Sequence, residues 1–157
     1  MRAEPAIHVC VGALLRAGEG ECRILLGRRA PDRAFYPDVW DVPGGHCEPG
    51  EPPERTLVRE LQEELGVTPT AWRRLATVEG PAQEHGQPLV LHLYVVTAWD
   101  GAPRNRQPAE HSAIGWFTIA DACRLPLAHP DYPALFRRVA REVGRGGGAP
   151  AGAAPGA

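Results

Sequence analysis

Three glutamates, Glu60, Glu63 and Glu64, stand in the pattern E-x-x-E-E within Gly45 to Val67, GHCEPGEPPERTLVRELQEELGV. On a helix turning about 100° per residue, with Glu60 at zero, Glu64 falls at about 40° and Glu63 at about −60°. The three carboxylates then share one face. Leu57, Val58, Leu61 and Leu65 fall at roughly 60° to 160° and make an adjoining apolar stripe that packs on a sheet. Carboxylates this close repel one another unless a cation lies among them. A hard divalent ion resolves the conflict, and oxygen ligands select Mg²⁺ or Mn²⁺. Such an ion keeps waters, bridges to substrate phosphates, polarises phosphoryl oxygens and lowers the pKa of a bound water.

An isolated E-x-x-E-E is more often a solvated acidic face paired with arginines. The segment before it argues otherwise. Gly45, Glu51, Arg59, Glu60, Leu61, Glu63, Glu64, Gly66 and Val67 fill every specified position of G-x5-E-x7-R-E-U-x-E-E-x-G-U, where U is a bulky aliphatic residue. Average residue frequencies would fill those positions by chance only about once in 10⁹. Gly44 and Gly45 allow a tight loop whose carbonyls can be aimed at an ion. Glu51 is placed to brace that loop or to accept from the helix N-terminus.

The flanking elements follow from periodicity and punctuation. Ile7 to Leu15 and Cys22 to Arg29 are apolar strands joined by the turn Ala17-Gly18-Glu19-Gly20, a hairpin. Ala30 to Asp38 is a loop and Val39 to Val42 a short strand. A helix starts near Pro52 or Pro53 and stops at Leu65, with Gly66 as its left-handed terminator. Ala71 to Gly80 and Leu89 to Trp99 are strands flanking a linker, Gly80 to Pro88. Asp100 to Ala109 is a polar loop and Ile114 to Phe117 a strand. Thr118 caps a brief helix through Cys123. Asp131 to Val143 is the last helix. Residues 1–143 make one domain, and the Gly/Ala/Pro-rich segment 144–157 has too few apolar groups to fold. Strands and helices intermix after an initial hairpin, which favours an α/β sandwich over a regular βαβ array.

Composition narrows the partners. With 157 residues, 43% hydrophobic content and net charge −2, the chain suits a soluble domain of ordinary core size. The charge argues against a nucleic-acid polymer. No apolar run is long enough to span a membrane, and the N-terminus carries no secretory pattern. Cys10, Cys22, Cys47 and Cys123 fit no zinc spacing and read as thiols of a reducing, cytoplasmic compartment. Cys47 has no neighbouring base to make it a nucleophile. His46, His85, His92, His111 and His129 show no metal-ligand spacing, and Glu110-His111 reads as a pair of polar surface residues more readily than as a catalytic pair. A homodimer stays open, because no interface is legible.

Gly45 to Val67 resembles the Nudix box of the Nudix hydrolase family, and Pro43-Gly44-Gly45 fits the approach to it. Leu25 to Ala30 and Ile114 to Phe117 resemble the flanking strands more loosely. The resemblance implies an α/β/α sandwich with a mixed sheet and a MutT-like nucleotide pyrophosphohydrolase. Water would attack a phosphorus of a pyrophosphate bridge. Carried over by position, Glu60, Glu63, Glu64 and the Gly44 carbonyl would ligate Mg²⁺. Arg59 would hold a glutamate of the cluster in place, so Glu60, Glu63 and Arg59 make the catalytic set. Gly45, Glu51 and Gly66 would be structural. The general base stays open among Glu60, Glu63, Asp100 and Glu110.

The run Arg28 to Asp32 resembles the MutT-type branch, in which Arg29 would touch substrate phosphates. A strand-end arginine meeting a surface acid is the alternative. Asn105 could read a purine edge or merely sit in an exposed loop. Phe35 and Tyr36 are better placed to stack on a base than Trp40 or Trp116. Tyr132 simply opens the last helix. No signature points to coenzyme A, dinucleoside polyphosphates or NADH. A nucleoside triphosphate, modified or oxidised forms included, is the expected substrate. Nucleoside diphosphate sugars stand close behind, and a non-catalytic nucleotide sensor is the reading from another class.

Overall fold

The computed structural model describes residues 5–18, 20–80 and 87–145. Most of the expected 80–88 linker, His85 within it, and nearly all of the 144–157 tail lie outside those residues. The elements are β1 (Ile7–Ala17), β2 (Cys22–Arg29), β3 (Trp40–Asp41), β4 (Gly44–His46), α1 (Pro53–Leu65), β5 (Thr68–Gly80), β6 (Leu89–Asp100), β7 (His111–Thr118), α2 (Ile119–Ala122) and α3 (Tyr132–Arg145).

Among the described residues seven strands form one mixed sheet in the order β3-β2-β1-β6-β5, with β4 also on β1 and β7 on β2. The β1–β6 pair is parallel and the others are antiparallel. Alternation along β1 divides its side chains between two layers. Cys10 and Leu14 join Leu57, Leu61 and Leu65 of α1 on one face. Val11, Ala13 and Leu15 join Leu135, Phe136 and Val139 of α3 on the other. This is the expected α/β/α sandwich. Burying the three leucines of α1 stabilises the helix–sheet contact by about 2 kcal/mol each.

One feature of β1 makes the site. Ile7–Leu14 pairs with β6 on one edge. Its other edge is shared: Val9–Val11 pairs with β4 and Leu15–Ala17 with β2. The two partners diverge at Gly12, where a Cβ would overlap Leu57 of α1 at 2.5 Å. The helix therefore crosses close over the fork and brings its acidic face to β4.

The glycine segment differs from the expected loop. Gly44–His46 is a strand, because its backbone groups find partners on β1. The chain turns afterwards, at Gly50, with φ 76°. Helix α1 opens with Pro53 in its first turn and ends at Gly66, φ 72°, whose N–H donates to the Gln62 carbonyl at 3.0 Å. Both termini match the sequence reading. The strands β5 and β7 start three residues earlier than hydrophobic periodicity indicates, at Thr68 and His111. Thr118 caps α2 by accepting from the Asp121 N–H at 3.1 Å. Among the described residues no helix is long and apolar enough to cross a membrane.

Candidate active site

A cavity of about 300 Å³ opens beside the fork. Gly44, Gly45, Glu60, Glu64, Glu110 and His111 line one end, Arg29, Arg33, Phe35 and Tyr36 its rim, and apolar residues of β1 and β6 the other end.

Glu64 is buried, and its Oε2 accepts the Gly44 N–H at 3.1 Å. Gly44 stands opposite Val11, while the odd-numbered residues of this segment take ladder bonds to β1: Gly12 N–H to the Pro43 carbonyl and Cys47 N–H to the His8 carbonyl, each 2.8 Å. In an antiparallel ladder, Gly44 then turns both its N–H and its carbonyl away from β1, toward Glu64. A side chain at Gly44 would run into the Cys10 carbonyl. At Gly45 a Cβ would lie 2.5 to 2.8 Å from the Glu60 carboxylate. Both glycines are needed for close approach.

Arg59 organises the acidic side of the helix. Its Nε and Nη2 donate to the two oxygens of Glu51 at 2.9 and 2.8 Å, and its Nη1 donates to Glu60 at 3.0 Å. Nη2 also donates to the His46 carbonyl at 3.1 Å, tying helix to β4. Glu51 further accepts from Thr56 Oγ1 at 2.6 Å and the Glu48 N–H at 3.1 Å. Hydrogen bonds from Arg59, then Thr56, hold the Glu51 carboxyl down to about 2. Glu51 thus braces the turn, and Arg59 positions three carboxylates at once.

Burial pushes the Glu60 carboxyl up against the pull of Arg59. Burial, reinforced by the Glu60 charge, raises Glu64 well above the usual carboxylate range. Two desolvated carboxylates of like charge are costly alone and favourable around a cation. Oxygen donors from Glu60, Glu64 and a backbone carbonyl suit a hard divalent ion. Glu110 and His111 add to this end, where Glu64, Glu110 and His111 each offer a ligand atom within 4.8 Å of the others. His111 is therefore not the surface residue expected. It starts β7, packs over Gly27 and turns into the cavity.

Other expected residues divide. Glu63 is half exposed and stands outside the cavity lining, 3.5 Å from Arg59 Nη1, because its position on the helix faces the i−4 arginine. Phe35 and Tyr36 are exposed on the rim, as a stacking role requires. Arg29 lines the cavity, yet its Nε donates to the Phe35 and Tyr36 carbonyls at 3.2 and 3.1 Å and its Nη2 to Phe35 at 2.9 Å. It clips the aromatic loop, whose Tyr36 and Asp38 adopt φ of 51° and 62°. Asn105 does not reach the cavity. Its amide donates to the His111 carbonyl at 2.7 Å and accepts the Gln107 N–H at 3.2 Å, so both polar atoms hold the loop before β7. Trp40 packs edge-on against Phe117, and Trp116 stacks with Trp99 beneath Arg16. Asp100 is exposed and away from the cavity, whereas Glu110 lines it.

Two residues escaped sequence reasoning. Tyr132 donates to Asp41 Oδ1 at 2.6 Å, with Arg29 Nη1 3.9 Å from the other oxygen. Burial raises the pKa of both Asp41 and Tyr132, and the hydrogen bond joins the two desolvated groups under the cavity. The partners lie 91 residues apart, and no local pattern announces them.

The family model described as the NUDIX domain matches residues 6–139. The CTP pyrophosphohydrolase of Escherichia coli is 33% identical over 127 residues, 81% of this chain and 90% of that protein. The 8-oxo-dGTP diphosphatase of the same organism is 37% identical over 110 residues, 69% of this chain and 81% of its own. A MutT NUDIX hydrolase from Burkholderia pseudomallei superimposes with a TM-score of 0.74 at 33% identity, covering 87% of this chain and 99% of that one. A glycine strand, an arginine-braced acidic helix and a match along most of the chain agree: this protein belongs to the Nudix hydrolase family.

Proposed function

We propose that the protein hydrolyses the pyrophosphate linkage of a nucleoside triphosphate, modified or oxidised forms included, in a Mg²⁺-dependent reaction. The observation that carries this reading is the convergence of Glu60, Glu64 and the backbone of Gly44 at one end of a cavity whose other end is apolar. A charged polyphosphate and a flat nucleobase would occupy the two ends. The relatives named for CTP and 8-oxo-dGTP support the same substrate class.

Mg²⁺, with Mn²⁺ as substitute, would be held by Glu60, Glu64 and the Gly44 carbonyl, with Glu63 contributing from the rim. When bound, it supplies charge neutralisation at the phosphoryl oxygens and acidifies water. Arg59 keeps Glu60 in register and Glu51 keeps Arg59 in place. Glu110 is the best-placed general base: it lines the cavity, is half exposed, and its one ion pair among the described residues is the 3.9 Å contact with Arg33. Glu60 and Glu64 are held by Arg59 and Gly44 and are less free to accept a proton. Arg29 sets the rim on which Phe35 and Tyr36 cover the base. The reading places the protein in the cytoplasm, where nucleoside triphosphates are abundant, acting on small molecules.

A panel of nucleoside triphosphates and diphosphate sugars, incubated with and without Mg²⁺ and followed for pyrophosphate and phosphate release, tests this. Mg²⁺-dependent pyrophosphate release from a triphosphate is expected. Hydrolysis of diphosphate sugars alone, or binding without turnover, would overturn it.

A further inference from the structure

Two arginines line the cavity rim, and they differ in what holds them. Arg29 gives Nε and Nη2 to backbone carbonyls of the aromatic loop and turns Nη1 toward Asp41. The guanidinium of Arg33 has one ion pair among the described residues. Its Nη1 stands 3.9 Å from Glu110 Oε2, too far for a hydrogen bond. Yet Arg33 is directed inward. Every other residue from Pro31 to Asp38 is exposed, while Arg33 is half-buried and lines the cavity. Backbone bonds fix that placement. Ala30 is buried, its N–H donates to the Glu110 carbonyl at 2.8 Å, and its own carbonyl accepts the Arg33 N–H at 3.2 Å. The turn that carries Arg33 is thereby pinned beside the start of β7.

That position decides what Arg33 meets. Glu110 joins Glu64 and His111 in a group whose ligand atoms lie within 4.8 Å of one another. The guanidinium therefore faces the acidic end, a short step outward from the carboxylates. Asp41, Glu60, Glu64 and Glu110 are the acidic side chains of the lining, and Arg33 is the permanent cation there whose donors are uncommitted. A free terminal phosphate carries about −1.5 to −2 charge near neutral pH and three acceptor oxygens. A phosphate esterified to a sugar has less charge and fewer open oxygens. The planar guanidinium fork matches two phosphate oxygens at once and stays charged at neutral pH. Its present contact with Glu110 is long and partly solvated, so a phosphate displaces it at little cost.

We propose that Arg33 is a specificity-determining residue whose guanidinium grips the free terminal phosphate of a nucleoside triphosphate and so favours triphosphates over diphosphate sugars. This rests on the hydrolase reading above and deepens it. The carboxylate end holds the phosphates near the bond that breaks, and Arg33 reads whether the chain beyond them ends freely.

The test compares wild type, Arg33→Gln and Arg33→Lys on the best triphosphate of the panel and on its γ-phosphate methyl ester. The ester keeps the same base and phosphate chain but blocks one terminal oxygen. Wild type is expected to show a KM about tenfold higher for the ester. Arg33→Gln should raise KM for the triphosphate about tenfold, hold kcat, and leave the ester almost unaffected. Arg33→Lys, which keeps the charge and loses the fork, should recover part of the loss. The melting temperature of nucleotide-free Arg33→Gln should match wild type, because a long, solvated ion pair contributes little. Equal KM effects of Arg33→Gln on triphosphate and ester would overturn the inference. A fall in kcat at unchanged KM would also overturn it, and would assign Arg33 to positioning Glu110. Wild type cleaving triphosphate and ester with equal KM would overturn it and leave the hydrolase reading standing, whereas cleavage of no nucleotide would defeat both.

Discussion

Replacing Gly45 by alanine should disable the site without unfolding the protein. A Cβ at position 45 would lie 2.5 Å from Glu60 Cδ and 2.6 and 2.8 Å from its two oxygens. Unstrained contacts of this kind lie near 3.5 Å, so the carboxylate must retreat by about 1 Å. It would leave the position in which Arg59 Nη1 holds it at 3.0 Å. A displacement of about 1 Å in a catalytic constellation costs about 10²-fold in rate, or about 2.7 kcal/mol of transition-state stabilisation. The fold should survive, because Gly45 is not among the glycines of positive φ and the colliding atoms end a flexible side chain. The assay is kcat/KM at saturating Mg²⁺ on the best nucleotide of the panel, with Mn²⁺ affinity by calorimetry and a thermal melt alongside. Gly50→Ala is the control: its φ is 76° with open space around it, so it should lose about 1 kcal/mol of stability and keep its turnover. A Gly45→Ala enzyme within about threefold of wild type would refute the claim that this glycine exists to admit Glu60.

Glu64→Gln should lower turnover by more than about 10²-fold while changing metal-free stability in the opposite sense. Because the folded Glu64 carboxyl is raised above its ordinary 4.5, wild-type protein in EDTA should lose stability as pH rises from 4.5 through that raised value, and the glutamine variant should lose less; identical urea-denaturation profiles against pH would contradict this. Glu51 behaves oppositely: held down from 4.5 to about 2, its contribution is complete above 4.5 and disappears as pH falls through about 2. The stability difference between wild type and Glu51→Gln should therefore be constant at neutral pH and close under acid, and a gap that persists to pH 2 would argue against the brace. Glu110→Gln should lower kcat by about 10² to 10⁴ with little change in KM, and an unchanged kcat would remove Glu110 as the base.

Helix α1 was the most legible part of the chain. Its start at Pro53, its Gly66 terminator and its buried leucines all obey local rules that a single sequence displays. The sandwich followed from the order of strands and helices. The division of one β1 edge between β4 and β2 was not legible, since it depends on which of two segments reaches the edge first, a long-range competition. That division also explains why Gly44–His46 is a strand and why only two of three clustered carboxylates enter the cavity. Angular arithmetic on an isolated helix treats Glu60, Glu63 and Glu64 alike. The tertiary setting separates them, because β4 meets the Glu60–Glu64 side and Arg59 takes Glu63. Asn105 shows the reverse failure: an amide in a polar loop offers a donor and an acceptor to any ligand, but neighbouring backbone groups reached both first. His111 looked like surface because strand β7 starts earlier than its apolar residues suggest.

The central claim is that Glu60, Glu64 and the Gly44 carbonyl grip a divalent cation against a polyphosphate. Anomalous diffraction from a crystal grown with Mn²⁺ and a non-hydrolysable nucleoside triphosphate analogue tests it most directly. The account predicts a manganese peak within coordination distance, about 2.2 Å, of those oxygens and of a phosphate oxygen. Manganese bound elsewhere, with Glu60 and Glu64 facing neither metal nor phosphate, would contradict it.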